Sequence, residues 1–573
     1  MKAFIRSFFA SLLALLVVVF MVLGVVGAKS SKKAVVKDHS YLVVDIYGEI
    51  PAYDAPGGII GLALGGETET LQRILGNLEK AAADKRIEGV IMKVSSSNTL
   101  GGAAAQEIRG AIRKVRGSGK PVYAWGDALD RRTVYLASAC DSIFMPPAGY
   151  MVFTGMGGSA LFVKNSLDKL GIATNFHQIR EYKSAAEMMT RSESSPEARE
   201  MRQWMADEMW DMQIAAISED RKLSGEKIVE LMGHALFTPT EAMQAGLIDR
   251  VLYWDELETR LKGDKDDKLR TVSPADYAKI DRTKVGLKGK KKIAVVHAHG
   301  MIGGRQSRVD PLLGMMMGHE TVSADLRRAR MDKDIAAVVF RVDSQGGEGL
   351  ASDLISREVQ AAAAVKPVVA SMVNVAASGG YMVSYRASKI VADPMTITGS
   401  IGSISGKFNM AGLYDKLGIT FTDFEKGPNG LLYSDHRDFT EEQRVRFEDN
   451  HWDGFNEWFY DVAKVRGIPA EQLEKLAMGR VWTGRQAKEN RLIDEVGGLD
   501  KAIAVAKELA GIPADEEVTL VHYPKKKGLL ETITSEGGPT SAVQWAVYRF
   551  IREDLARTLE FLAIREDAVL STN

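Results

Sequence analysis

A chain of 573 residues is too long for one ordinary hydrophobic core, so at least two domains are expected. Its 74 basic and 75 acidic residues leave a formal net charge of −1, which excludes a global field that would recruit nucleic acid. Hydrophobic content of 45% with 26% charged residues is globular composition, and the single cysteine, Cys140, excludes an internal disulfide framework and a cysteine-rich metal site.

The first element is an apolar run at 8–28, about 21 residues and long enough to cross a ~30 Å hydrocarbon core as a helix. Two readings compete for it. Val26-Gly27-Ala28 offers the small residues of a signal-peptide cleavage site, but the run is longer than a signal h-region and favours an anchor over 1–28. Lys2 and Arg6 precede the run, whereas Lys29, Lys32, Lys33 and Lys37 follow it, a count that argues for a cytoplasmic body.

Beyond the anchor, β-rich runs at 41–46, 89–94 and 122–125 alternate with helical stretches such as 103–115. The pattern returns with strands at 293–296, 336–342 and 368–373 and a helix at 351–364. Such alternation predicts an α/β fold of βαβ units around a partly parallel sheet, with ligands beyond the carboxyl ends of the strands. The return is a duplication at a spacing of about 245 residues. Lys120-Pro-Val-Tyr-Ala matches Lys366-Pro-Val-Val-Ala, and Lys169-Leu-Gly-Ile matches Lys416-Leu-Gly-Ile. Phe237-Thr-Pro with Gly246-Leu-Ile-Asp matches Trp482-Thr-Gly with Arg491-Leu-Ile-Asp. The body therefore reads as one copy over 40–275 and a second over 290–522, joined by the charged stretch 262–292. A C-terminal extension, 523–573, carries helical periodicity at 541–565 through Trp545, Phe550, Leu555 and Leu559.

Chemistry concentrates in the second copy. The strand at 336–342 runs into Asp343-Ser-Gln-Gly-Gly, and the next strand delivers Ser378 within Val373-Asn-Val-Ala-Ala-Ser-Gly-Gly-Tyr. A hydroxyl among small residues at a strand-to-helix turn is presented as a nucleophile. The oxyanion it would generate needs two convergent N–H donors, for which Gly347 and Gly379 are the natural pair. Serine also needs a base. A lysine serves if burial keeps its amine neutral, and Lys183 lies among small and apolar residues in the first copy. The matching second-copy position is Asn429, while the first-copy match of Ser378 is Arg132. Each copy thus carries one half of a Ser–Lys pair. Ser95-Ser-Ser-Asn and Gly101-Gly102 read as a relic of the oxyanion turn, and no chemistry is assigned to Arg132.

With Tyr-Lys-Ser-Ala at 182–185, Ala-Ser-Gly-Gly-Tyr at 377–381 and Thr-Gly-Ser-Ile-Gly at 398–402, the chain resembles the long, duplicated form of the signal peptide peptidase A (protease IV) family. The resemblance covers the apolar segment and both repeats. It implies a tandem duplication of a ClpP/crotonase-like domain after one N-terminal transmembrane helix. It implies a membrane-bound Ser–Lys endopeptidase with Ser378 as nucleophile, Lys183 as general base and Ser400 orienting that lysine. Gly347 then corresponds to the oxyanion donor of a Ser-Pro-Gly-Gly turn, from which this chain departs by carrying Gln345 in place of proline. Further implications are peptide substrates such as cleaved signal peptides, docked as an added strand, no metal or organic cofactor, and a ring-like tetramer. The family setting is the bacterial inner membrane with the body on the extracytoplasmic side, opposite to the charge count. It also makes the run Pro311-Leu-Leu-Gly-Met-Met-Met-Gly a hydrophobic lip of the substrate groove.

Two rivals remain. Ala376-x-Ser378-x-Gly380 resembles an α/β-hydrolase nucleophile elbow that would draw its base from His436, His451 or His522. The other rival is a catalytically inactive membrane scaffold. His297 and His299 alternate at a strand end, and with no third ligand apparent they read as ordinary strand-end histidines.

Overall fold

The computed structural model describes residues 35–53, 69–262, 267–310 and 313–525. The apolar run at 8–28 and the helix expected at 541–565 lie outside these residues. Among the described residues no helix is long and apolar enough to cross a membrane.

The elements that position the site in the first half are β1 (Ser40–Gly48), β2 (Ile87–Asn98), α1 (Gly102–Gly117), β3 (Val122–Trp125), β4 (Ser142–Met145), β5 (Ala173–Ile179), α2 (Pro196–Arg221), β6 (Arg250–Val251) and β7 (Thr271–Val272). All but β5 enter one parallel sheet in the order β7-β1-β2-β3-β4-β6. Helix α1 forms because Ala104, Ile108, Ile112 and Val115 recur on one face, and that face is buried on the sheet.

The second half repeats the scheme with β8 (Lys291–His299), β9 (Met301–Ile302), β10 (Arg308–Asp310), β11 (Gly314–Met317), β12 (Ile335–Ser344), α3 (Gly349–Ala363), β13 (Val368–Ala377), α4 (Gly379–Met382), β14 (Lys389–Ala392), β15 (Ile397–Gly399), β16 (Ser403–Asn409), α5 (Glu441–Arg466), β17 (Val481–Thr483), β18 (Glu495–Val496) and β19 (Val518–Tyr523). Its sheet runs β17-β15-β13-β12-β8-β19, with β14 joining β13 to β18. Every pairing is parallel except that of β17 with β15. The runs Val338–Val342 and Val368–Val373 are buried on both faces, as strands covered by helices on each side must be. All six strands and both helices expected from the sequence occur, most of them extended by a few residues and Val122–Trp125 with unchanged bounds.

Three features lock the halves together. Strand β5 leaves its own sheet and pairs antiparallel with β16, from Ala173 opposite Asn409 to Ile179 opposite Ser403. The cores exchange residues: Val373 and Met395 pack in the first core, and Ile179 packs in the second. Arg341 of β12 meets Glu107 of α1 at 2.5 Å, both only 4% exposed. Arg341 also donates to Ser371 Oγ, and Glu107 accepts from the Leu499 amide. A buried pair this well satisfied fixes one docking geometry, because separating the halves would leave a charge uncompensated. Cys140 is buried, and its thiol is pushed up to about 12 by that burial, as an inert core residue's would be.

Candidate active site

Ser378 occupies the sharp corner between β13 and α4, at φ 57° and ψ −120°. A non-glycine residue held there costs roughly 1–3 kcal/mol, so the surroundings must impose it. They do. The Ser378 amide donates to the Gly399 carbonyl at 2.9 Å, and the Ser378 carbonyl accepts from the Met382 amide. A side chain on Gly379 would stand 2.6 Å from Ser352 Oγ, and one on Gly380 only 2.4 Å from the Ser344 carbonyl. The small residues after Ser378 are therefore a packing requirement of the corner.

Lys183 reaches this corner from the other half. The β5–β16 ribbon sets Ile179 opposite Ser403, and four residues further on the lysine points back toward Ser400. Its Nζ lies 2.8 Å from Ser378 Oγ, 2.9 Å from Ser400 Oγ and 3.0 Å from the Ser400 carbonyl, all within one chain. Lys183 is 7% exposed, and burial alone brings its ammonium down to about 7. A neutral amine has two N–H donors and one lone pair. The two Ser400 oxygens can accept the donors, which leaves the lone pair facing the Ser378 hydroxyl. Ser400 is itself at φ 54°, with its amide donating to the Arg480 carbonyl at 2.7 Å.

The turn after β12 closes the site. Gly346 (φ 106°) and Gly347 (φ 148°) lie where side chains rarely go. A side chain on Gly346 would meet the Gly379 amide and Ser378 Cβ, both at 2.8 Å. Gly347 forms a parallel bridge with Ile302, in which Ile302 donates to the Gly346 carbonyl and Glu348 donates to the Ile302 carbonyl. Neither the Gly347 nor the Gly379 amide donates to a protein acceptor among the described residues. Both sit beside Ser378, which is the disposition an oxyanion requires. Gln345 in place of proline leaves the turn braced, because the Gly346 amide donates to Ser344 Oγ at 3.2 Å.

The histidines of the rival reading are engaged elsewhere. His451 faces His177 at 2.9 Å and Ser403 at 2.7 Å. His436 contacts Ser434 and Asp423, and His522 contacts His297 at 3.0 Å. The His297 ring also stacks on Tyr53 at 3.9 Å. Among the described residues no cluster of His, Cys, Asp and Glu could hold a metal. Met316 and Met317 are buried and Met315 half-buried on β11, which neighbours β9 and so lies one strand from the Gly347 bridge. Arg132 points to the Ser96 carbonyl and Asp130.

The segment 478–480 was not anticipated. Met478 accepts from the Tyr182 amide, and Gly479 packs so closely on Lys183 that a side chain there would stand 2.5 Å from the lysine's backbone nitrogen and 2.6 Å from its Cβ. The glycine at φ 76° was the available signal, next to the repeated Trp482-Thr-Gly, but nothing local tied it to a lysine about 300 residues upstream.

Comparison with known proteins places the chain in a family. The model of peptidase family S49 matches twice, at residues 114–268 and 360–513. The chain is 34% identical over 475 residues to "Serine protease SPPA, chloroplastic" of Arabidopsis thaliana, covering 81% of this chain and 69% of that protein. It is 31% identical over 493 residues to "Protease 4" of Salmonella typhi, covering 82% and 78%. A shorter match, 32% over 195 residues, is to "Putative signal peptide peptidase SppA" of Enterococcus faecium, covering 33% of this chain and 56% of that one. The α/β-hydrolase and inactive-scaffold readings are not favoured, and the duplicated chain belongs to peptidase family S49 as a serine peptidase.

Proposed function

We propose that the protein is a membrane-bound endopeptidase working through a Ser378–Lys183 dyad on extended hydrophobic peptides, cleaved signal peptides among them. The observation that carries this reading is the 2.8 Å contact between Lys183 Nζ and Ser378 Oγ, with Ser400 taking up the two remaining amine contacts. Lys183, near half-neutral at pH 7, accepts the hydroxyl proton as Ser378 Oγ attacks the scissile carbonyl. The amides of Gly347 and Gly379 hold the oxyanion. The protonated lysine then gives its proton to the leaving amine, and the acyl-enzyme is hydrolysed by a water that Lys183 deprotonates in turn. This chemistry calls for no metal or organic cofactor.

The substrate class is supported by the name of the Enterococcus faecium relative and by apolar side chains near the turn, where Leu350 is 67% exposed and Met315 half-buried. The membrane setting follows from the apolar run at 8–28. Bacterial inner-membrane location, an extracytoplasmic body and assembly as a tetramer complete the proposal and rest on family likeness. Hydrolysis of a quenched hydrophobic peptide by Ser378→Ala and Lys183→Met tests the core of it. Each substitution should cut kcat by at least about 10⁴-fold with the fold intact. Near-normal turnover by either would end the dyad reading.

A further inference from the structure

The dyad depends on keeping one lysine dry at a seam between two halves, and the side chain that closes the seam is Arg480. Its backbone belongs to the serine-bearing half, where its carbonyl accepts from the Ser400 amide at 2.7 Å. Its side chain crosses to the lysine-bearing half. The guanidinium lies 4.0 Å from the ring centroid of Tyr182, the residue before the lysine, and 4.4 Å from that of Trp204 on α2. Glu200 of α2 takes Arg480 Nη2 at 2.7 Å and the Tyr182 hydroxyl at 2.9 Å, so one carboxylate fastens both. Trp204 meets Trp482 edge-on at 4.8 Å, which extends the grip to β17. Arg480 Nε is buried without a protein acceptor among the described residues, so aromatic faces carry much of the hold.

We propose that Arg480 is the positioning residue of the base: clamped by Tyr182, Trp204 and Glu200, it presses the segment 478–480 onto Lys183 and shuts water out of the seam. This inference rests on the dyad reading. The backbone it presses is close-fitting, since Gly479 leaves no room for a side chain above Lys183, and Gly479 donates to the Ile401 carbonyl at 2.8 Å beside Ser400. The amine contacts Ser378 Oγ and the two oxygens of Ser400, and no charged group acts on it. Glu187 accepts from the Ser195 amide, and Arg180 is paired with Glu474. Burial is the only cause acting on the lysine, so loosening the clamp acts through water entry.

The test is kcat/KM against pH from 5 to 10 for the full chain and its Arg480→Ala, Arg480→Lys, Glu200→Gln and Lys183→Met variants, using the same quenched peptide. In Arg480→Ala the acidic limb should move up by about one pH unit, costing about fivefold at pH 7 and little at pH 9. Arg480→Lys, which keeps charge without the stacking plane, should fall between. An acidic limb that stays in place in Arg480→Ala, whether turnover is normal or uniformly reduced, reduces Arg480 to an ordinary packing contact and overturns the proposal. If Arg480→Ala does not fold, Glu200→Gln decides in the same way by a smaller upward shift or none. Lys183→Met separates the two readings: turnover there sinks the dyad itself, whereas an inactive Lys183→Met with an unmoved Arg480 limb sinks only the clamp.

Discussion

The two halves share a fold and differ at the one corner where a nucleophile would sit. In the second half Ser378 is held at φ 57°, with no side chain capping the helix behind it. At the equivalent corner of the first half Asp130 is extended at φ −124° and caps the helix Arg131–Ala137 through a reciprocal contact with Thr133. Arg132, matching Ser378, is already inside the first helical turn. The oxyanion turns diverge in the same direction. Helix α3 is preceded by Glu348, which makes no side-chain cap, and the Gly347 amide is left unused. Helix α1 has its N-terminus filled from the other half, where Asn374 Oδ1 accepts from the Ala104 amide at 3.1 Å. Where chemistry was lost, the chain relaxed into capped, satisfied helix starts; where it remains, strain and unused donors persist.

The largest effect that sharpens this contrast comes from placing one methyl in each turn. Gly347 sits at φ 148° with the Ile302 carbonyl 2.0 Å from where a Cβ would go, so Gly347→Ala must move the oxyanion turn. A loss of about 10²–10³ in kcat is expected, as for removal of one oxyanion donor. Gly101→Ala would displace the Asn374 side-chain amide, whose Oδ1 is 2.2 Å and Cγ 2.5 Å away, and lose a cap worth about 1 kcal/mol, with kcat changed by a few-fold at most. Steady-state kinetics with denaturant unfolding of both variants checks this. Equal losses of kcat would mean that the first-half turn is no relic.

A second contrast lies between Lys183 and its counterpart Asn429. The Lys183 pKa is about 7 folded and near 10.5 unfolded, so the unfolded chain binds the extra proton between these values. The burial penalty is therefore full below pH 7 and fades as pH rises toward 10.5. Lys183→Met should stabilise the protein by a few kcal/mol at pH 6, and the gain should shrink steadily toward pH 10. Asn429 accepts from Gln443 Nε2 on an exposed surface and stands at φ 64°, so Asn429→Ala should cost about 1 kcal/mol at every pH. Denaturant unfolding at pH 6, 8 and 10 reads both. A Lys183→Met gain that does not depend on pH would contradict a neutral buried amine.

Much of this site could be read before any coordinates. The runs at 336–342 and 368–373 are apolar apart from Arg341 and Ser371, and they mark two central strands, because a parallel strand covered on both faces is filled mostly by apolar side chains. The repeat spacing then exposed the complementary loss that pairs Ser378 with Lys183. What stayed hidden was anything set by docking of the halves. The β5–β16 ribbon has polar residues on both faces, so its sequence does not announce a partner 230 residues away. Arg480 looks like any surface arginine until Tyr182, Trp204 and Glu200 close round it. The same holds for Asn374, whose hydrogen bond to α1 depends on a docking angle.

The smallest effect is the most direct probe of the relic. Restoring the lost residue by Arg132→Ser in a Ser378→Ala background should return no hydrolysis above the single variant. The hydroxyl would sit within a helical turn, with helical backbone in place of a φ near 57°, so it would not project into a cleft. The position matching the base is Asn429, and Lys183 is committed to Ser378 and Ser400 of the other half. The donors that would stabilise an oxyanion are also gone, since Asn374 occupies the N-terminus of α1. Structurally the change removes contacts from Arg132 to Asp130 and the Ser96 carbonyl at a site 49% exposed, worth about 0.5 kcal/mol or less. Labelling with a serine-reactive phosphonate is the sensitive readout. Incorporation at position 132 would show that the corner kept its reactivity after losing its serine, and that the strain at Ser378 is not what distinguishes the two halves.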